Sequence, residues 1–169
     1  MVIRKLSPDD SAALFELIDI IEADLPDKSF WLPIDKLSRD NFLNDEWTEF
    51  YGAFDGGILA GASALFYNEH EYGGSKRILG LDRSNVAEIG RAMVRPEYRG
   101  RNLLFKINSV LLDVAEKKGI EYVLSTVHPG NIPSRSSLQK LGMNKAASCV
   151  KNEIYPRDIF LIELKKEEK

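Results

Sequence analysis

The sequence predicts an α/β fold, a mixed central sheet of about seven strands with helices on both faces, on three observations. The hydrophobic period switches between two and about 3.6 in the order β, α, loop, β, β, β, α, β, α, β, β. The chain has 169 residues, 44% of them hydrophobic, which suits one core and one domain over residues 1–169. No internal repeat, low-complexity tract or linker divides it.

Ile3 to Leu6 alternates as a short strand, and Ser7-Pro8-Asp9-Asp10 supplies an N-cap, a proline at the first helical position and acids in the first turn. The helix that follows repeats Leu14, Leu17, Ile18 and Ile21, and Pro26 prevents its continuation. Residues 24 to 45 read as mostly irregular, with a short helix from Ile34 to Phe42. Glu49 to Asp55 and Ile58 to Tyr67 flank the turn Asp55-Gly56-Gly57 and predict a hairpin. The polar, glycine-bearing stretch from Asn68 to Asn85 is expected as a long hairpin arm or a loop, ahead of a strand from Val86 to Val94. Leu103, Leu104, Ile107, Val110, Leu111, Val114 and Ala115 then share one face of the clearest helix, closed by Gly119. Glu121 to Val127 is a strand, Asn131 to Leu141 a shorter helix closed by Gly142, and Met143 to Val150 and Ile154 to Leu164 are two more strands. Lys165 to Lys169 reads as a solvated tail.

Composition excludes several classes of function. No run approaches the about 18 to 20 apolar residues that span a bilayer, and the start carries no signal-peptide core, so a soluble, cytoplasmic protein without a membrane partner is expected. The lone Cys149 has no internal disulfide partner and reads as a small buried strand residue. His70 and His128 are spaced unlike any zinc motif, so no metal is expected. A formal net charge of -3 argues against nucleic acid as a partner.

Local charge points elsewhere. Arg91, Arg95, Arg99 and Arg101 stand against Glu97 alone, a basic segment in an acidic chain. Within it, Val94-Arg95-Pro96-Glu97-Tyr98-Arg99-Gly100-Arg101-Asn102-Leu103 reads as a strand, a tight turn and a helix start. A helix start offers unpaired amides and a partial positive charge, which suit a phosphate or pyrophosphate. The bland alternative is a connection whose arginines face water. Neither Gly-x-x-x-x-Gly-Lys-Ser/Thr nor Gly-x-Gly-x-x-Gly occurs, which disfavours a P-loop kinase or a dinucleotide dehydrogenase.

The basic segment resembles the signature of the GNAT superfamily of N-acetyltransferases, Gln/Arg-x-x-Gly-x-Gly/Ala after a strand and a proline-containing loop. Arg99 matches its first position, whereas Asn102 and Leu104 stand where small residues are usual. Asn tolerates a left-handed backbone; leucine adds bulk. A second landmark, Asn131 at a helix start with Gly142 and Met143 eleven residues on, is similar to the family's, and residues 3 to 10 resemble its opening strand and helix. The resemblance implies a GNAT-like domain, with acetyl-CoA as cosubstrate and a small-molecule or peptide amine as acceptor. It implies that Arg99, Gly100, Arg101, Asn102, Leu103 and Leu104 wrap the pyrophosphate and that Asn131 and Ser134 line the pantetheine side. Backbone groups near Met93 and Val94 would hold the thioester and its developing oxyanion. A homodimer is compatible with the family.

The amine must lose a proton before it attacks, because a lysine-like amine near pKa ~10.4 is protonated at neutral pH. Strict alternation from Val86 to Val94 puts Glu88, Gly90, Ala92 and Val94 on one side and Ala87, Ile89, Arg91 and Met93 on the other. Glu88, beside two small residues, is the candidate base; a surface glutamate or a structural salt bridge is its alternative. The family's tyrosine, seven residues after the asparagine, is Leu138 here. Ser134, His128 or Tyr155 would protonate the departing thiolate, or it leaves unassisted. Phe30, Trp31 and Trp47 are pocket or core aromatics, and Tyr67, His70, Glu71 and Tyr72 form a second pocket wall or a solvated hairpin. The expected reaction is direct acetyl transfer from acetyl-CoA to a primary amine. A catalytically silent coenzyme A-binding module, or the same fold with a longer acyl-CoA, is the alternative.

Overall fold

A computed structural model describes residues 1–164, and the expected tail of Lys165 to Lys169 lies outside the described residues. The strands are β1 (Val2–Lys5), β2 (Thr48–Asp55), β3 (Ile58–Phe66), β4 (Val86–Val94), β5 (Tyr122–Val127), β6 (Asn144–Lys151) and β7 (Tyr155–Glu163). They form one seven-stranded sheet in the order β1-β2-β3-β4-β5-β7-β6. The helices are α1 (Ser11–Ala23), α2 (Lys36–Asp40), α3 (Glu69–Ile78), α4 (Leu103–Lys117) and α5 (Ile132–Lys140). Only β4 and β5 are parallel neighbours; the other pairs are antiparallel. Parallel neighbours need a crossover, which α4 provides.

Helices cover both faces, as the alternation of periods predicts. On one, α1 buries Leu14, Leu17, Ile18 and Ile21 in a cluster with Phe42, Phe50 and Phe66. Asp10 fixes its entry, accepting from the Ser7 amide at 2.8 Å. On the other face, Leu111 and Ala115 of α4 pack with Leu65, Ala87, Ile89 and Phe160, and Leu103 and Ile107 pack with Ala53 and Ala60. Gly119, at φ +75°, lets the chain leave α4 in the left-handed conformation that a side chain would resist.

Two expectations fail. The stretch from Asn68 to Asn85 is not a hairpin arm or a loop: it contains α3, capped by Asn68 Oδ1 accepting from the Glu71 amide at 3.1 Å. Its buried side is Tyr72, Gly73, Ser75 and Lys76, too polar to show a helical hydrophobic period.

The strict alternation along β4 also fails. Gly90 pairs with Ala64 but Met93 pairs with Ala62, so β4 holds one residue more than β3 between these pairs, and Arg91 sits at φ +52°. This bulge moves Met93 onto the face of Glu88 and Gly90, and Val94 onto the opposite one, where it packs with Tyr98 and Ile107. It also re-aims Arg91, whose guanidinium donates to the Leu32 carbonyl at 2.6 Å on the α1 face.

Candidate active site

The parallel pair β4 and β5 does not stay paired. Its register is Val86 with Tyr122, Ala87 with Val123 and Glu88 with Leu124, and then it stops. The Ser125 hydroxyl donates to the Ile89 carbonyl at 2.7 Å as the last tie. Farther on, β4 remains paired only with β3 and β5 only with β7. The two facing edges therefore carry backbone donors and acceptors without a strand partner, and such groups seek a ligand or water. Met93 and Val94 lie on this edge, past the bulge, with Met93 itself buried.

At the mouth of the opening stands the turn before α4. Gly100 (φ +77°) and Asn102 (φ +63°) are both left-handed, and Asn102 serves as N-cap without a side-chain capping bond. The first intrahelical bond runs from the Lys106 amide to the Asn102 carbonyl at 3.2 Å, so the amides of Leu103 and Leu104 precede the helical ladder. Lys140, on α5, donates to Asn102 Oδ1 at 3.2 Å and joins the end of α5 to the start of α4. Arg101 stacks over the Tyr98 ring at 5.0 Å. Arg99 is half exposed and paired with Asp24 of the α1 terminus at 2.9 Å, so its charge is shared with an acid.

Asn131 caps α5, its Oδ1 accepting from the Ser134 amide at 3.4 Å. Leu138, at the family's tyrosine position, is buried in the core cluster of Phe160 and Met143. Among the expected proton donors, His128 follows β5, stacks on Phe30 with ring centroids 4.5 Å apart, and accepts from the Gly130 amide on Nδ1 at 2.9 Å. With Nδ1 accepting, Nε2 is the ring nitrogen left to donate. Tyr155 starts β7, with the Arg157 guanidinium 5.8 Å from its ring centroid.

On the α1 face a cavity of about 450 Å³ opens beside the β4 bulge, between α2, α3 and the end of β6. Asp35, His70, Glu71, Arg91, Cys149 and Lys151 are among its lining residues. Asp35 Oδ2 accepts from His70 Nε2 at 2.8 Å, and Ser38 donates to Glu71. Of the expected second wall, His70 and Glu71 line the cavity, whereas Tyr72 is core and the Tyr67 hydroxyl donates to Glu49 at 3.0 Å, away from it. Trp31 lies under Arg91, with the guanidinium 4.8 Å from its ring centroid. Cys149, expected as a buried strand residue, is half-buried and lines the cavity.

Glu88 is 7% exposed, and its Oε2 has no hydrogen-bond partner. Its other oxygen lies over Gly90: a methyl group there would meet Glu88 Oε1 at 3.6 Å and the Phe66 ring at 3.0 Å. Burial pushes the carboxyl pKa up to about 7, with Lys151 and Arg91 opposing and Glu71 reinforcing the rise. The salt bridge expected as the alternative role is absent among the described residues, where Glu88 makes no ion pair. Sequence reasoning missed Asp35, Ser38, Lys151 and Arg91 as neighbours of the site. A bulge at a non-glycine residue leaves no turn signal, and the others come from elements far apart in the chain.

Among the described residues, no helix is long and apolar enough to cross a membrane, and no group of three or more His, Cys, Asp or Glu could hold a metal ion.

Comparison with known proteins follows the same lines. A family model described as "Acetyltransferase (GNAT) family" matches residues 14–143. No curated protein matches the sequence. Among solved structures, an N-acetyltransferase from Staphylococcus aureus Mu50 superposes with a TM-score of 0.73 at 14% identity, over 97% of this chain and 98% of that one. The yncA protein of Salmonella typhimurium, solved with its cofactor acetyl-CoA, has a TM-score of 0.72 at 17% identity, covering 100% of this chain and 96% of its own. An acetyltransferase of the GNAT family from Streptococcus pneumoniae has a TM-score of 0.71 at 16% identity, over 97% and 99%. At these identities the likeness is one of fold.

Proposed function

We propose, for a chain that belongs to the GNAT family of acetyltransferases, that it transfers the acetyl group of acetyl-CoA directly to a primary amine, with Glu88 as the base. The observation that carries this reading is the placement of Glu88: a buried carboxyl with one unpartnered oxygen, its pKa raised to about 7, at the last β4–β5 pair before the sheet parts and within reach of the charges of Lys151, Glu71 and Arg91, which line the cavity. A base of that pKa takes a proton from an ammonium at neutral pH without being too weak to accept it.

The residues present suit the cosubstrate. The left-handed turn at Gly100 and Asn102 directs the first amides of α4 outward, where they and the helix dipole would hold the pyrophosphate, with Arg101 and Arg99 beside them. Asn131 and Ser134 would flank the pantetheine, Asn131 keeping its cap at the same time. Bound acetyl-CoA supplies a thioester whose carbonyl would lie along the unpaired β4 edge at Met93 and Val94, an amide there facing the oxygen as charge develops on it. The amine nitrogen forms the new C–N bond as the C–S bond breaks, its proton passing to Glu88 directly or through water. His128, whose Nδ1 is taken up by the Gly130 amide, stands near the end of β5 with Nε2 left to donate to the departing sulfur, although a thiol near pKa ~8.5 also leaves unassisted. With Leu138 buried in the core, nothing at that position donates.

Purified protein with acetyl-CoA and a panel of amines tests this by thiol release and by calorimetry of coenzyme A alone. Coenzyme A binding with amine-dependent thiol release is the expected result. Binding without release from any amine would instead favour a silent coenzyme A-binding module, and no binding at millimolar concentration would end the reading. A longer acyl donor would be revealed by faster release from longer acyl-CoAs.

A further inference from the structure

The cavity beside Glu88 is charged in two halves. Acids from α3 and the start of α2, Glu71 and Asp35, line it, and Glu88, buried and outside the lining, lies close enough to feel the charges of Glu71, Arg91 and Lys151. Its other charges are basic. Arg91 lines the cavity from the β4 bulge and Lys151 from the end of β6. Behind them stands Arg157 of β7, 3% exposed and near enough to Arg91 for each to feel the other's charge.

Among the described residues none of these three cations touches an acid, although Glu71, Glu88, Glu22 and Asp35 act on Arg91 from farther off. The ion pairs of the described residues involve other lysines and arginines, and His70. Arg91 donates to two backbone carbonyls, Leu32 at 2.6 Å and Pro33 at 3.4 Å. Arg157 donates to the Pro156 carbonyl at 2.7 Å. Carbonyl oxygens satisfy N–H groups but do not neutralise a guanidinium. Two arginines withdrawn from water and repelling each other are offset here only by carboxylates beyond contact distance, so an anion in direct contact would be favoured. Arg91 has five donors, so N–H groups remain for one.

Resting on the acetyltransferase reading of the same site, we propose that the acceptor is a small zwitterion, an amine that carries a carboxylate a few bonds away, as an α-amino acid does. Its carboxylate docks on Arg91 and Lys151, with Arg157 behind them, and its amino group is thereby held on the Glu88 and Glu71 side. The two-sided charge selects against other amines. A polyamine would bring a second cation against Arg91 and Lys151, and a simple monoamine would leave them without an anion in contact. A peptide N-terminus has an amide where the free carboxylate is required. The volume of about 450 Å³ fits a small molecule of this kind.

The test compares twins. Amino acids, each with its C-terminal amide and its decarboxylated amine, are offered with acetyl-CoA to the intact protein, and thiol release gives kcat/KM. The expected result is that at least one amino acid exceeds its amide and its decarboxylated amine by about tenfold or more, the scale of one charge-assisted contact. Lys151→Met should raise KM for that amino acid more than it changes kcat and collapse the ratio of acid to amide, while Lys151→Arg keeps the ratio. Amides, simple amines, polyamines or peptides turned over as well as or better than free amino acids would overturn the zwitterion and leave the transferase reading intact. Coenzyme A binding with no acetylation of any amine would overturn both.

Discussion

Glu88 is where one side chain carries opposite consequences for stability and for catalysis. In the unfolded chain its carboxyl titrates near 4.5, and in the fold near 7 because burial disfavours the anion. The folded state therefore holds the proton more tightly. The stability that this contributes is fully present below pH 4.5 and is lost as pH rises toward and through 7, by on the order of 3 kcal/mol in all. Lys151, Arg91 and Glu71 are the charges that face it, and their opposing signs are already part of that balance. Glu88→Gln removes the ionisation. Thermal unfolding should then show the variant more stable than the parent at pH 8 and little different at pH 5. Its acetylation rate should fall by about 10² to 10⁴ at neutral pH. The parent's kcat/KM should rise with pH through about 7, as the base ionises, and the variant should lack that limb. A variant that is less stable and equally impaired at every pH would make Glu88 a structural residue and leave deprotonation to water.

At the scale of single elements, β4 depends on a neighbour for its shape. Gly61 of β3 lies against the end of the bulge, and a methyl group there would stand 2.9 Å from the Met93 carbonyl oxygen. That oxygen belongs to the backbone and yields only if the strand moves. Gly61→Ala should cost on the order of 1 to 3 kcal/mol and also depress acetyl transfer, because the displaced segment is the one assigned to the thioester. Chemical denaturation and steady-state kinetics on the same protein check both, and loss of stability with unchanged kcat would separate the bulge from the chemistry. The same strand marks the limit of legibility. The residues of β4 are readable from their composition, and Glu88 beside Gly90 from their spacing, but period-two alternation has no term for an extra residue, so Arg91, Met93 and Val94 lie on the sides opposite to those it predicts. The helix α3 was hidden for a related reason: with Gly73, Ser75 and Lys76 buried it shows no apolar stripe. α4 was legible from its stripe of leucine, isoleucine and valine, and the left-handed Asn102 from its short polar side chain. The cavity was not, since Asp35, Glu71, Arg91 and Lys151 meet only when the fold brings distant segments together.

Over the whole molecule, the sheet is two blades joined along a short seam. Strands β1 to β4 form one antiparallel set and β5 to β7 another, and β4 and β5 share only the pairs from Val86 to Glu88 before they part. A ligand that bonds to both open edges would replace the missing ladder, so coenzyme A should act as a stabiliser as well as a substrate. Binding to the folded state alone contributes about 2.7 kcal/mol at a hundred times Kd. For a chain of this length that amounts to a rise in Tm of roughly 5 to 10 °C. The protection has a predicted place. Hydrogen exchange with and without coenzyme A should slow at Gly90 to Val94 on one blade, at Thr126 to His128 on the other and at the amides from Arg101 to Leu104, while β1 and the β2–β3 turn, remote from the opening, should change little. A Tm rise with protection confined to the α4 turn would limit the ligand's hold to its pyrophosphate and leave the thioester unassigned. A Tm rise with protection outside all three segments would move the cofactor site away from the splayed strands, and with it the case for Glu88 as the base.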